Sequence, residues 1–173
     1  MEKKELELYI HIPFCVRKCN YCDFLSFPAD EDTQRQYVKA LCKEIFYYGA
    51  HCRDYVVSTV YIGGGTPSWL WESDMAEIMD AVHKNFALLP DAEVSVECNP
   101  GTVTAQKFEV YRQSGINRIS LGLQSAQNVE LKMLGRIHTW EQFLKTYELA
   151  RAGGFSNINV DLMSSLPGQH MES

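Results

Sequence analysis

The chain has 173 residues, the length of one domain, and its 46% hydrophobic and 22% charged residues are typical of a globular protein rather than a disordered one. Its 16 Lys and Arg against 22 Asp and Glu give a net charge of −6, which argues against a general nucleic-acid or anionic-membrane binder, since either needs a basic face. No apolar run reaches the roughly 18 residues of a membrane span, and the charged start lacks the apolar core of a secretion signal. We therefore expect a cytoplasmic protein.

Strand-like and helix-like segments alternate along the chain. Runs of β-branched and aromatic residues indicate strands, and apolar residues three or four apart indicate helices. Ser73 has the position of a helix N-cap, with acidic residues following it. In chain order the sequence predicts strand Leu6–Ile12, helix Thr33–Tyr48, strand Thr59–Ile62, a helix from Ser73 to about Phe86, strand Glu93–Glu97, helix Thr104–Ser114, strand Arg118–Leu123, helices Asn128–Leu134 and Trp140–Ala152, and strand Asn157–Met163.

Five βα-type units in series predict an α/β fold with a parallel sheet, because each crossover helix returns the chain to the same edge. A closed eight-stranded barrel takes about 250 residues. The alternatives are therefore an open doubly wound sheet and part of a barrel. No Pro- or Gly-rich linker divides the chain, and it stops where another helix and strand would follow. We expect one domain, residues 1–173, truncated before its last strand.

Three of the six cysteines, Cys15, Cys19 and Cys22, lie within eight residues directly after the first strand. Parallel βα folds build their active sites in the loop at that end of a strand. A structural zinc site needs a fourth ligand, and the nearest candidate, His11, lies inside the strand. Three thiolates suit a cubane iron–sulfur cluster with one open iron better, although zinc remains an alternative. The remaining cysteines, expected to be ordinary thiols, are Cys42, Cys52 and Cys98.

Six motifs in order resemble the radical S-adenosylmethionine proteins, and more narrowly the branch that holds the oxygen-independent coproporphyrinogen III oxidases and the HemW heme chaperones. The likeness covers nearly the whole chain. The motifs are Leu8-Tyr-Ile-His-Ile-Pro-Phe-Cys-Val-Arg-Lys-Cys-Asn-Tyr-Cys22, Tyr61-Ile-Gly-Gly-Gly-Thr-Pro-Ser68, Glu93-Val-Ser-Val-Glu-Cys-Asn-Pro-Gly101, Asn117-Arg-Ile-Ser-Leu-Gly-Leu-Gln-Ser125, Leu134-Gly-Arg-Ile-His138 and Asn159-Val-Asp-Leu-Met163.

The resemblance implies a partial (β/α) barrel of about five parallel strands with outer helices, and a [4Fe–4S] cluster on the three clustered cysteines. The open iron would chelate the amino and carboxylate groups of S-adenosyl-L-methionine, and one electron from the cluster would cleave it to the 5′-deoxyadenosyl radical. Without the resemblance, Arg136 and Asp161 would be expected to form a structural ion pair. The positions that match cofactor-binding residues of the family are Tyr9, Tyr21, Gly64, Gly65, Thr66, Glu97, Gln124, Arg136 and Asp161.

The position two residues after Cys22 separates the two branches. The oxidases carry a further cysteine there, whereas this chain has Phe24, which looks like HemW. The resemblance therefore implies a heme chaperone that binds heme or porphyrin and passes heme to acceptor proteins, with an electron donor as a further partner. The alternatives are an oxidase that decarboxylates coproporphyrinogen III and a non-catalytic cluster-binding fragment. HemW proteins carry a His-Asn-Arg-Pro-Pro motif in a C-terminal domain, which these residues lack, so heme binding is expected of the full-length protein.

Overall fold

The computed structural model describes residues 4–170, in which five strands alternate with five α-helices. The strands and helices follow one another in the predicted order. The strands are β1 (Lys4–Ile12), β2 (Tyr55–Gly64), β3 (Leu88–Cys98), β4 (Arg118–Gln124) and β5 (Asn157–Leu162), and the helices are α1 (Glu31–His51), α2 (Glu72–Asn85), α3 (Ala105–Gln113), α4 (Asn128–Met133) and α5 (Trp140–Ala152).

The sheet has the spatial order β1-β2-β3-β4-β5, and all four neighbouring pairs are parallel. A doubly wound sheet reverses its strand order at a switch point, and these strands show no reversal. Each strand is simply added beside the preceding one, as in a (β/α) barrel. The predicted partial barrel is therefore confirmed, and the open doubly wound alternative is wrong.

Strand β4 shows how the sheet separates its core from its polar face. Successive side chains of a strand point to opposite faces. Ile119 and Leu121 are buried in the core, each contributing roughly 1.5–3 kcal/mol of burial free energy. Ser120 and Gly122, which alternate with them, line a cavity on the other side. One strand thus anchors the core and presents polar groups to the same cavity as its neighbours.

Three helices begin at a residue whose side chain caps the first turn, and Asp30 does so for α1, whereas α2 departs from the predicted cap. Thr139 caps α5 with a reciprocal capping box, and Thr104 caps α3 by accepting from a backbone N–H. The prediction of Ser73 as the N-cap of α2 is wrong, because the N-cap is Trp71 and Ser73 lies inside the first turn. A short 3-10 turn over Pro67–Trp69, which was not predicted, brings the chain into the helix earlier.

No helix within residues 4–170 is both long and apolar enough to cross a lipid bilayer.

Candidate cofactor site at the carboxyl ends of the strands

A cavity of about 440 Å³ lies at the carboxyl ends of the strands. Its lining comes from the loops that follow β1 and β2, from the ends of β3, β4 and β5, and from the segment after α4. All the residues predicted from the sequence as site residues line it, except Tyr9. They are Cys15, Cys19, Cys22, Tyr21, Gly64, Gly65, Thr66, Glu97, Gln124, Arg136 and Asp161.

Tyr9 lies beside this cavity rather than in it. Its side chain is 61% exposed, lines a separate groove between β1 and α1, and bonds to His11 Nδ1 at 3.3 Å. Its ring stacks on that of Tyr61 at a centroid distance of 6.1 Å. Tyr61 does line the cavity, so Tyr9 reaches the site through this second aromatic ring.

The loop that carries the three cysteines is fixed at both ends. Near its start, the backbone N–H of Cys15 donates to Phe27 O at 3.1 Å, and Phe27 N–H donates to Pro13 O at 2.9 Å. Cys15 is buried, whereas Cys19 and Cys22 are half-buried, and all three are free thiols. The loop therefore holds three thiols against one cavity without a disulfide between them.

The middle of the same loop is docked on the end of α4. Arg17 donates to Gly135 O at 2.7 Å. Asn20 donates its backbone N–H to Leu134 O at 3.0 Å and its side-chain N–H to Met133 O at 2.9 Å. The last carbonyls of a helix have no partners within the helix, so these residues act as its C-terminal cap. Cysteine loop and helix end are thereby held in one arrangement.

Two side chains direct hydrogen-bond donors at the cysteine sulfurs. Thr66 Oγ1 lies 3.5 Å from Cys15 Sγ, and an Nη of Arg136 lies 3.7 Å from Cys19 Sγ and 3.5 Å from the Tyr21 hydroxyl. The other Nη of Arg136 donates to Asn99 Oδ1 and to a backbone carbonyl, both at 2.7 Å. Donors placed at a ligand sulfur can orient that ligand and stabilise the negative charge it carries when it is bound to a metal.

Glu97 supplies an acidic group to the cavity from the end of β3. Its carboxylate accepts from the Tyr61 hydroxyl at 2.8 Å and from the Gly64 backbone N–H at 3.0 Å. Burial raises the pKa of Glu97, and these two hydrogen bonds oppose that rise. Gly64 adopts a φ of +115°, and an added Cβ would lie 2.5 Å from the His11 ring. Only glycine permits this close passage of the chain.

Asp161 and Gln124 complete the rim on β5 and β4. Asp161 accepts from Ser120 Oγ at 3.2 Å and from Asn159 Nδ2 at 2.7 Å. Gln124 has a φ of +74°, an unusual backbone conformation for a residue with a side chain. The ion pair expected between Arg136 and Asp161 in the absence of the family resemblance is wrong, because each has other partners within residues 4–170.

The donor set fits an iron–sulfur cluster with a zwitterionic ligand beside it. Three free thiols and Arg136 line the same cavity, and the buried Nε of Arg136 has no hydrogen-bond partner among the described residues. Glu97 also lines it, so charges of both signs face the same space. Cys98 also lines it, but burial raises the pKa of this thiol to about 12. Among residues 4–170, no three His, Cys, Asp or Glu side chains converge as a single-ion site would require.

Sequence reasoning missed several residues of this cavity. Asn99 falls in an Asn-Pro-Gly sequence that indicates only a turn, and Tyr61 looks like an ordinary strand aromatic. Ser120 and Gly122 are marked only by their alternation with the core residues of β4. In each strand, the residues that alternate with the core positions face the other side of the sheet. Applying this rule to every strand would have identified Ser120, Gly122 and Tyr61 from the sequence.

A partial barrel with three loop thiols and a rim of polar groups at its carboxyl edge defines the core of a radical S-adenosylmethionine protein. Residues 9–173 match the Radical SAM superfamily. The chain belongs to that family. Membership implies a [4Fe–4S] cluster and S-adenosylmethionine as cofactors, and the donor set described above suits both.

Curated relatives and solved structures agree with this membership. Heme chaperone HemW of Escherichia coli (strain K12) is 43% identical over 96% of this chain, and HemW of Bacillus subtilis (strain 168) is 36% identical over 95%. The chain spans 44% of the length of each of these two relatives. Coproporphyrinogen III oxidase (HemN) from Escherichia coli matches 99% of the chain and 40% of its own length, with a TM-score of 0.91 and 31% identity. The hydrogenase maturase HydG from Carboxydothermus hydrogenoformans covers 92% of the chain and 36% of its own length, and at 15% identity and a TM-score of 0.60 it shares the fold.

Proposed function

We propose that this chain is the radical S-adenosylmethionine core of a HemW-type heme chaperone, and that it corresponds to the N-terminal part of a longer protein. The observation that carries the proposal is a loop with three free thiols, two of which meet side-chain donors inside a cavity with charges of both signs. The 43% identity to a relative named as a heme chaperone supports the choice of branch. Six free thiols suit a reducing compartment, so we also propose a cytoplasmic location.

The residues of the cavity divide into cluster ligands and ligand-binding groups. Cys15, Cys19 and Cys22 hold the cluster, which when bound supplies one electron to the sulfonium of S-adenosylmethionine. Arg136 pairs with the carboxylate of the methionyl group. Glu97 accepts a hydrogen bond from the ammonium of the same methionyl group, beside the backbone of Gly64 and Gly65.

The remaining groups bind the nucleoside part of the ligand. Tyr21 offers an aromatic face to the adenine, and Gln124 and Asp161 offer acceptors to the ribose hydroxyls at the ends of neighbouring strands. Each role follows from the chemistry of the side chain and from its place in the lining of the cavity. Binding of S-adenosylmethionine should therefore depend on residues of several strands and loops.

Metal analysis tests the cluster. Anaerobic reconstitution should give about four irons and four sulfides per chain. Cys15→Ala should abolish the cluster, because it removes the buried ligand whose sulfur Thr66 faces. Cys42→Ala is the matched control, since that thiol lies on α1, donates to Glu77 O at 3.9 Å and has a pKa raised by burial. Stoichiometric zinc without sulfide would contradict the proposal.

A second candidate function is that of a coproporphyrinogen III oxidase, which the TM-score of 0.91 to such an enzyme favours. Phe24 distinguishes the two, because its side chain, 67% exposed on the cavity wall, replaces a cysteine of the oxidases. We propose that the longer protein binds heme, passes it to an acceptor protein and receives electrons from a separate donor.

Anaerobic incubation of the longer protein with coproporphyrinogen III, reductant and S-adenosylmethionine separates the two functions. The chaperone should bind heme and leave the porphyrinogen unchanged, whereas an oxidase would remove two propionate carboxyl groups. Protoporphyrinogen formed over multiple turnovers would refute the chaperone proposal. The 173-residue chain serves as the comparison, and it should bind heme weakly or not at all.

A further inference from the structure

A directional chain of hydrogen bonds leads from Arg136 to the sulfur of Cys15. Arg136 donates to Asn99 Oδ1 at 2.7 Å, Asn99 Nδ2 donates to Thr66 Oγ1 at 2.9 Å, and Thr66 Oγ1 lies 3.5 Å from Cys15 Sγ. A guanidinium has donors only, so the amide oxygen of Asn99 must face Arg136 and the amide nitrogen must face Thr66. The Thr66 hydroxyl therefore accepts from Asn99, and its own hydrogen is left for Cys15.

Asn99 is itself held in place by its backbone. Its N–H donates to Ser68 Oγ at 3.1 Å, and its carbonyl accepts from Thr102 Oγ1 at 2.7 Å. Lys107 Nζ donates to Ser68 O at 2.8 Å and to Thr102 O at 3.1 Å, which ties these two residues together. These hydrogen bonds fix the backbone position from which the Asn99 amide reaches Thr66.

We propose that Asn99 is a positioning residue that aims the Thr66 hydroxyl hydrogen at the Cys15 sulfur and thereby raises the reduction potential of the cluster. The inference rests on the proposed function, since it requires a cluster on Cys15. Hydrogen bonds to ligand sulfurs shift the potential of an iron–sulfur cluster. They favour the reduced form, because reduction adds negative charge that the donor stabilises.

Substitutions at position 99 separate this role from packing. In Asn99→Asp the carboxylate has acceptors only. The Thr66 hydroxyl must then turn its hydrogen away from Cys15, although the contact with Arg136 remains. Asn99→Leu removes the amide without adding a charge, so the hydroxyl hydrogen is no longer fixed in direction. Thr66→Val removes the donor altogether and measures the effect of losing this hydrogen bond without any change of charge.

The test is an EPR-monitored redox titration of the full chain after anaerobic reconstitution. Thr66→Val should lower the equilibrium constant for cluster reduction about three- to tenfold, which at 59 mV per tenfold is about 30 to 60 mV. Asn99→Asp should lower it at least as far, and Asn99→Leu should fall between Thr66→Val and the unsubstituted chain. The matched control is Asn157→Asp, since Asn157 is exposed at the start of β5 and does not line the cavity. It should leave the potential unchanged.

A double substitution separates the effect of the added carboxylate charge from the effect on the Thr66 hydroxyl. If Asn99→Asp acts through Thr66, its shift should shrink about threefold or more when it is made together with Thr66→Val. An equal shift in both backgrounds would mean that the carboxylate acts by charge alone and would overturn the inference. An unchanged potential in Asn99→Leu or Thr66→Val would do the same. An unsubstituted chain without about four irons and four sulfides would instead refute the proposed function.

Discussion

His138 makes the stability of the fold depend on pH in a calculable way. Its side chain is 4% exposed, and neither ring nitrogen forms a well-aligned hydrogen bond within the described residues. Burial, with a smaller contribution from the charge of Arg136, lowers the pKa of His138 from 6.5 to about 4 against a weak opposing effect of the Leu123 backbone. The unfolded chain therefore binds a proton at a pH where the folded chain does not.

The sign and size of the effect follow from linkage. Above pH 6.5 His138 is neutral in both the folded and the unfolded chain, and no stability is lost. As the pH falls from 6.5 through about 4, only the unfolded chain takes up the proton readily, and the free energy of unfolding decreases. At 1.36 kcal/mol per pKa unit, the full loss is about 3 kcal/mol, and about 2.5 kcal/mol of it is reached by pH 4.5. His138→Leu removes this loss. Because the imidazole forms no well-aligned hydrogen bond, the substitution should change stability at pH 7.5 by less than about 1 kcal/mol.

Urea denaturation of the chain without its cluster at pH 7.5 and pH 4.5 measures this prediction. The unsubstituted protein should lose about 2.5 kcal/mol more than His138→Leu does between the two pH values. His83→Leu is the matched control, because His83 is exposed and bonded to Ser114 O, and it should keep the pH dependence of the unsubstituted chain. The same acid sensitivity in His138→Leu would refute the reasoning.

Three further predictions concern capping, the cysteine loop and ligand binding. Thr139→Ala should lower the free energy of unfolding by about 1 kcal/mol in urea, because it removes a capping box, whereas Ser73→Ala, which removes no cap, should change it by less than about 0.5 kcal/mol. Asn20→Ala should speed the loss of iron to a chelator, since it removes a side-chain bond to the end of α4. Glu97→Ala should weaken S-adenosylmethionine binding by roughly 1.5–3 kcal/mol in calorimetry, the scale of a hydrogen bond to a charged group. Unchanged binding would remove Glu97 from the site.

Elements with strong local signals were predicted well from the sequence. Helix α5 has its predicted bounds, Trp140–Ala152, because Thr139 caps one end and two glycines follow the other. Strand β3 begins at Leu88 rather than at Glu93, since Leu88 pairs with Val57 ahead of an irregularity in register. Such pairing depends on the neighbouring strand, which local periodicity does not report.

The residues of the candidate site also fall into two groups, those that local motifs predicted and those whose role depends on distant parts of the chain. The cysteine spacing and the rim positions were available from motifs, and apart from Tyr9 those residues line one cavity. Asn99 was missed because its role depends on Arg136 and Thr66, which are 37 and 33 positions away along the chain. A sequence indicates the chemistry of a residue, but a hydrogen-bond direction needs both partners in place.

Helix α4 has six residues, and a helix of that length has little stability of its own in water. The carbonyls at its end are capped by Arg17 and Asn20, from the loop that follows the first strand. Any cofactor that orders this loop must therefore also order α4, and by reciprocity a well-formed α4 must favour cofactor binding. We expect the amide protons of Asn128–Met133 to exchange more slowly once iron and sulfide are loaded. Cofactor assembly and the last step of folding would then be a single cooperative event.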